Sequence, residues 1–215
     1  MLPISMLPPE VHTARLVLRR QHPDDAHLVK EAIDSSLAHL KASVAWAQSA
    51  PFPLATLSSR LGATAAAFDA GRAWAFSIFD LQQTRILGGA GLERADAALT
   101  ALVGPNAAET GYWLRADATG NGYATEATSL LTLLALTHLG AQRVVVCHDP
   151  VNAASEGVPR RLGFRCLGTV SSAVLPGRQA ADGSLRATTR VWVFDAPETG
   201  EASSGSLTPL FQNTF

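Results

Sequence analysis

The residues best suited to chemistry crowd into one stretch, 109–124. Glycines at 120 and 122 and an alanine at 124 leave the backbone open to a ligand, because no bulky side chain shields the amides. The run Thr119-Gly120-Asn121-Gly122-Tyr123-Ala124 leads straight into a helical pattern. The unpaired N–H groups of a helix start therefore converge on it, and such a start is a ready anion site. The helix dipole adds only about 0.3–1 kcal/mol per charge, so the amides must carry most of the affinity. Neither a Gly-Lys-Ser/Thr phosphate loop nor a third, dinucleotide-type glycine is present. On spacing alone, a tight strand-to-helix turn with no ligand explains Gly120 and Gly122 equally well.

Other candidates each have a bland counterpart. Asn152 and Ser155 open a second, short helix; asparagine there either binds a ligand or simply caps the helix. Glu109 is a water-mediated base or an exposed strand-end charge, the second reading being favoured. His148 ends a strand and titrates near neutral pH if free, although a satisfied polar residue fits as well. Glu126 lies in the first helical turn, where an acid suits the dipole. Trp46, Trp74 and Phe76 line an acceptor pocket or, more in keeping with their spacing, fill a core.

The elements that must position these residues follow from hydrophobic period. Residues 14–19 alternate apolar and charged, as a half-buried strand does. Helical composition covers the stretch from Asp24 to Leu40, then 54–70, with a loop at 41–53. Residues 73–79 and 85–93 read as a hairpin around the polar turn 80–84. Residues 109–115 form another strand, and 122–139 the clearest helix, stopped by Gly140. The β-branched run 143–148 reads as a strand covered on both faces. A short helix ending at Leu162-Gly163-Phe164 and strands near 165–173 and 185–194 complete an α/β fold: a mixed, largely antiparallel sheet with helices on both faces.

In this context the motifs align with a known family. Gly111-Tyr112-Trp113-Leu114-Arg115 followed by Thr119 to Ala127 resembles the acetyl-CoA motif of the GNAT superfamily, in its RimJ/RimL-type branch of ribosomal-protein N-terminal acetyltransferases. Asn152-Ala-Ala-Ser155 with Arg161-Leu-Gly-Phe164, and the opening strand Thr13 to Arg19, resemble two further blocks of that branch, in matching order over about residues 12–195. The resemblance implies an acetyl-CoA-dependent N-acetyltransferase, with acetyl-CoA as acyl-donor co-substrate and direct attack by a primary amine in a ternary complex. It assigns the coenzyme to Trp113, Leu114, Arg115, Thr119, Gly120, Asn121, Gly122, Tyr123, Ala124, Asn152 and Arg160, with Arg161 as another cation in reach. The amide near Leu114 would hold the oxyanion, Asn152 the pantetheine amides, and Ser155 would protonate the thiolate, with Glu109 as the candidate base. Two positions depart from the family pattern. Thr119 replaces the usual Gln or Arg, and Pro159 stands where many GNAT enzymes carry a tyrosine.

Composition sets the remaining bounds. The 215 residues are 47% hydrophobic and 16% charged, with net charge -1. That gives no electrostatic footprint for nucleic acid and no polybasic membrane patch. No stretch nears the ~20 apolar residues of a membrane span, the N-terminus has no signal-peptide pattern, and Cys147 and Cys166 lack any metal-ligand spacing. A cytoplasmic protein with reduced thiols and no metal is expected. Residues 1–11 read as an N-terminal extension, 12–195 as the acyltransferase domain and 196–215 as a disordered tail. Exposed strand edges are compatible with a homodimer. With no strong base evident, an α-amine at a peptide or protein N-terminus is the expected acceptor. A small-molecule amine (amino-sugar, amino acid or polyamine) and a catalytically silent acyl-CoA-binding module remain open.

Overall fold

The computed structural model describes residues 7–197. In chain order it contains β1 (Glu10–His12), β2 (Leu16–Arg20), α1 (Ala26–Asp34), α2 (Leu37–Lys41), α3 (Leu54–Asp69), β3 (Ala73–Asp80), β4 (Ile86–Arg94), α4 (Ala97–Val103), β5 (Ala107–Leu114), α5 (Tyr123–His138), β6 (Arg143–His148), α6 (Ala153–Arg161), β7 (Arg165–Ser171) and β8 (Thr188–Asp195). The strands form one sheet in the order β1-β2-β3-β4-β5-β6-β8-β7. Every neighbouring pair is antiparallel except β5–β6.

Side chains alternate across the sheet and feed separate cores. Leu16 and Leu18 join Trp74, Phe76 and Leu92 beneath Ala127, Leu131 and Leu134 of α5. Val17, between them, packs instead with Phe79, Ile86, Val29, Ile33, Leu57 and Leu61 under α1 and α3. All three β2 residues are fully buried, so this strand is covered on both faces rather than half-buried as its charged ends suggested. A third cluster gathers Leu99 of α4 with Ala107, Val145, Val191 and Val193. No helix among the described residues is long and apolar enough to cross a membrane.

Three stretches add to the reading of the sequence. Residues 7–11 of the expected N-terminal extension pack on the domain: Leu7 is 2% exposed within the first core, and Glu10–His12 pairs with β2. Helix α4 lies in a stretch to which no element was assigned. Its signals are local, with Asp96 Oδ1 accepting from the Leu99 amide at 2.7 Å and Gly104 closing the end at φ 96. The supposed loop at 41–53 contains a 3-10 turn, Ala45–Ser49. The expected tail beyond Pro197 lies outside the described residues.

Candidate active site

The site is an opening in the sheet. Strands β5 and β6 pair only through Ala107, Ala108 and Glu109 with Arg143, Val144 and Val145, after which they part. The other edge of β5 explains why. Gly88 of β4 lies so close to β5 that a Cβ there would sit 2.1 Å from the Trp113 carbonyl oxygen. Only a residue without a side chain permits that approach, which draws the end of β5 toward β4. Because the Arg115 amide bonds Leu87 O on the β4 side and amide directions alternate along a strand, the Tyr112 and Leu114 amides point into the opening. Leu114 N–H is therefore a donor without a strand partner, as an oxyanion site requires.

A cavity of ≈ 840 Å³ runs through this opening. At one end stand Thr119, Gly120, Asn121 and Gly122, the turn that enters α5. Gly120 and Gly122 adopt φ of 77 and 80, left-handed values that cost other residues about 1–2 kcal/mol. The amides of Tyr123, Ala124 and Thr125 have no acceptor within the helix, since the first intrahelical bond is Glu126 N to Gly122 O. Ala124 lines the cavity beside them. Tyr123 packs against the core, with the Arg15 guanidinium over its ring at 5.0 Å.

The middle of the cleft is walled by Tyr112, Leu114, Asn152, Ser155, Val158 and Arg161. Asn152 Oδ1 caps α6 by accepting from the Ser155 amide at 3.0 Å, so the capping role holds and leaves its NH₂ group for the cavity it lines. Pro159 sits inside α6, yet the helix keeps Ser155 facing the opening. The Tyr112 hydroxyl donates to Ser155 O at 3.1 Å, and burial pushes its pKa well above the usual phenol value. On the opposite face of the sheet the cavity reaches His39, Trp46, Trp113, Cys147, Gln179 and Arg186. Trp46 stands edge-on to Trp113 at 5.6 Å. Trp74 and Phe76 are core residues, 1% and 0% exposed.

Three expected site residues are placed elsewhere. The Arg115 guanidinium is turned from the cleft: it spans Glu31 at 2.7 and 2.8 Å, Asp117 at 2.7 Å and Ser35 Oγ at 3.2 Å. Strand alternation sends it to α1, and its side chain is only 5% exposed. Arg160 points to solvent and pairs with Glu156 one turn earlier; Arg161, its neighbour on the helix, faces the cavity instead. Glu109 lies outside the main cavity. It is held by Arg178 at 2.6 and 2.8 Å, against the expectation of an exposed end or a free base. It borders a smaller cavity of ≈ 270 Å³, floored by the cross-strand pair Gly91–Gly111, and Gly111 borders both cavities. Glu93 faces Glu109 across β4 and β5; burial, then the Glu109 charge, raises its pKa.

His148 is a satisfied polar residue. The Trp192 indole can only donate, so His148 Nε2 accepts from it at 3.0 Å. The ring proton then sits on Nδ1, 2.8 Å from Asp149 O. Burial lowers the pKa of this imidazole, in keeping with a neutral ring. Glu126 is also more than a dipole partner: its side chain is 3% exposed and bonds Thr13 Oγ1, the Arg15 amide and Arg15 Nε. Arg15 and Tyr112 lie within the motif blocks 13–19 and 111–115 but were given no role of their own from the sequence. Arg186 lies in a stretch with no chemical pattern, and only the fold brings it to the cleft.

These features match known proteins. The sequence model of the acetyltransferase (GNAT) domain covers residues 15–165, and the chain belongs to that family. It is an acetyl-CoA-dependent N-acetyltransferase. Among curated proteins, none matches the sequence. Similar solved structures include a microcin C7 self-immunity acetyltransferase, MccE, in complex with acetyl-CoA and AMP, at 19% identity and TM-score 0.73 over 90% of this chain and 99% of the other. A RimL ribosomal L7/L12 α-N-protein acetyltransferase in complex with coenzyme A aligns at 19% identity and TM-score 0.71 over 86% and 96%. Mycobacterium smegmatis RimJ in complex with CoA-disulfide aligns at 18% and 0.73 over 94% and 93%. At these identities the likeness establishes the fold.

Proposed function

We propose that the acceptor is the α-amine of a peptide or protein N-terminus, which attacks the acetyl thioester directly while both substrates are bound. The observation that carries this reading is the engagement of the two bases that the sequence singles out near the cleft. Glu109 is bound by the Arg178 guanidinium, and His148 is held neutral with its lone pair toward Trp192. With Glu109 and His148 engaged, the site favours an amine that is already partly neutral. An α-amine, of pKa ~7.7–8.0, is neutral to about ten per cent at pH 7; a lysine at ~10.4 is neutral to under about one part in a thousand.

In this reading the turn 119–124 holds the coenzyme phosphates and the pantetheine arm passes between β5 and β6. Asn152 donates to the pantetheine amides, Leu114 N–H holds the developing oxyanion, and the Ser155 hydroxyl relays to the departing thiolate the proton that the attacking amine loses. The acceptor backbone lies over the side-chain-free floor at Gly91 and Gly111. The names of two similar structures, an α-N-protein acetyltransferase and a ribosomal-protein-S5-alanine acetyltransferase, point the same way. The test is CoA-thiol release with a peptide bearing a free N-terminus against the same peptide blocked at its N-terminus and carrying a lysine. Turnover of the free N-terminus supports the proposal; faster turnover of the blocked lysine peptide sinks it.

A further inference from the structure

The first position of the coenzyme turn holds no long side chain. Thr119 stands there, and its hydroxyl donates back to Ala116 O at 2.7 Å. A cation reaches the same place from a distant part of the chain. Arg15, just ahead of β2, donates through Nη1 to Asn121 O at 2.9 Å, and its Nη2 lies 3.4 Å from where a Cβ on Gly122 would be. Its inner edge is fixed by the Glu126 carboxylate at 2.7 Å from Nε and 2.6 Å from Nη2, and its plane lies over Tyr123. Its outer face is open, with the side chain 51% exposed, and it lines the cavity beside Thr119 to Gly122.

Glu126, Asn121 and Tyr123 hold the guanidinium in that place and leave its outer face uncovered. The other cavity-lining arginines sit elsewhere: Arg161 lies over Gly157 of α6, and Arg186 donates to Gln179 O. Arg15 alone stands on the turn. We infer that Arg15 binds the CoA pyrophosphate, supplying from outside the motif the polar side chain that Thr119 lacks. An arginine braced along one edge loses little further freedom when it meets phosphate, and its planar fork suits phosphate oxygens. The inference rests on assigning the 119–124 turn to the coenzyme.

The test is calorimetric titration of CoA, dephospho-CoA (which lacks the 3′-phosphate) and pantetheine into wild type, Arg15→Gln and the double variant Arg15→Gln/Glu126→Gln. The double variant removes both charges, so no buried carboxylate is stranded if the single variant folds poorly. The expected result is about a tenfold or greater rise in Kd for CoA and dephospho-CoA alike, no change for pantetheine, and recovery when Thr119→Arg is added to the double variant. A Kd for CoA within twofold of wild type in the double variant reduces Arg15 to a brace for Glu126 and overturns the inference. So does a loss for CoA that dephospho-CoA escapes, which moves Arg15 to the 3′-phosphate. A wild type that fails to bind CoA overturns the turn assignment itself, and the inference with it.

Discussion

Arg115 separates a structural cation from a coenzyme ligand, and Arg115→Met tests which it is. Methionine keeps much of the buried stem and removes the guanidinium. The lost bonds are the paired contacts to Glu31 at 2.7 and 2.8 Å and the contact to Asp117 at 2.7 Å. The abandoned carboxylates are 55% and 57% exposed, so water replaces the guanidinium around them. The full 3–5 kcal/mol penalty of stranding a buried charge therefore does not apply. What remains is the worth of charge-assisted hydrogen bonds, about 1.5–3 kcal/mol. For a chain of this size that lowers the melting temperature by roughly 3–12 °C. The affinity for CoA should stay within twofold of wild type, because the guanidinium faces α1. Thermal unfolding followed by circular dichroism, with CoA titration on the same preparations, reads both quantities. A tenfold loss of CoA affinity at an unchanged melting temperature would instead make Arg115 a coenzyme ligand.

His148 makes stability depend on pH. Its pKa is lowered in the folded state, so the unfolded chain binds the proton more readily. Stability should fall as pH drops below the unperturbed value of ~6.5 and on through the lowered pKa; urea midpoints at pH 7.5 and 5.5 that do not shift less in His148→Gln than in wild type would contradict this. Asn152→Ala should cost about 1 kcal/mol through the lost cap of α6 and also raise the Kd for acetyl-CoA, whereas Asn152→Asp should keep the cap and lose only affinity. Equal affinity in all three proteins would confine Asn152 to capping.

The turn at 119–124 and the elements that flank it were largely legible in the sequence. The change of period from strand to helix across 109–139, with glycines at the junction, fixes a turn of this kind whatever surrounds it. The strand at 143–148 was legible for the same reason, since six residues rich in β-branched side chains have few other uses. The errors concern direction and distance. The sequence names Arg115, Arg160 and Glu109 as charged groups near the motif. Which face of the strand or helix each occupies depends on the register with β4 and on the phase of α6. Arg160 pairs locally, with Glu156, but the partners of Arg115 and Glu109, Glu31 and Arg178, lie 84 and 69 positions away, beyond any local pattern. Arg15 is the converse case. It lies 106 positions from Asn121 and becomes part of the turn only when β2 and α5 pack on the same core.

The most direct test of the coenzyme site is CoA titration into Gly122→Val. Valine must adopt φ near the 80 of Gly122, at a strain of about 1–2 kcal/mol, and its side chain crowds both the open amides and Arg15. At least a tenfold loss of affinity is expected, with a folded protein whose melting temperature falls by only roughly 2–8 °C. CoA binding as tight as in the wild type would place the coenzyme away from this turn.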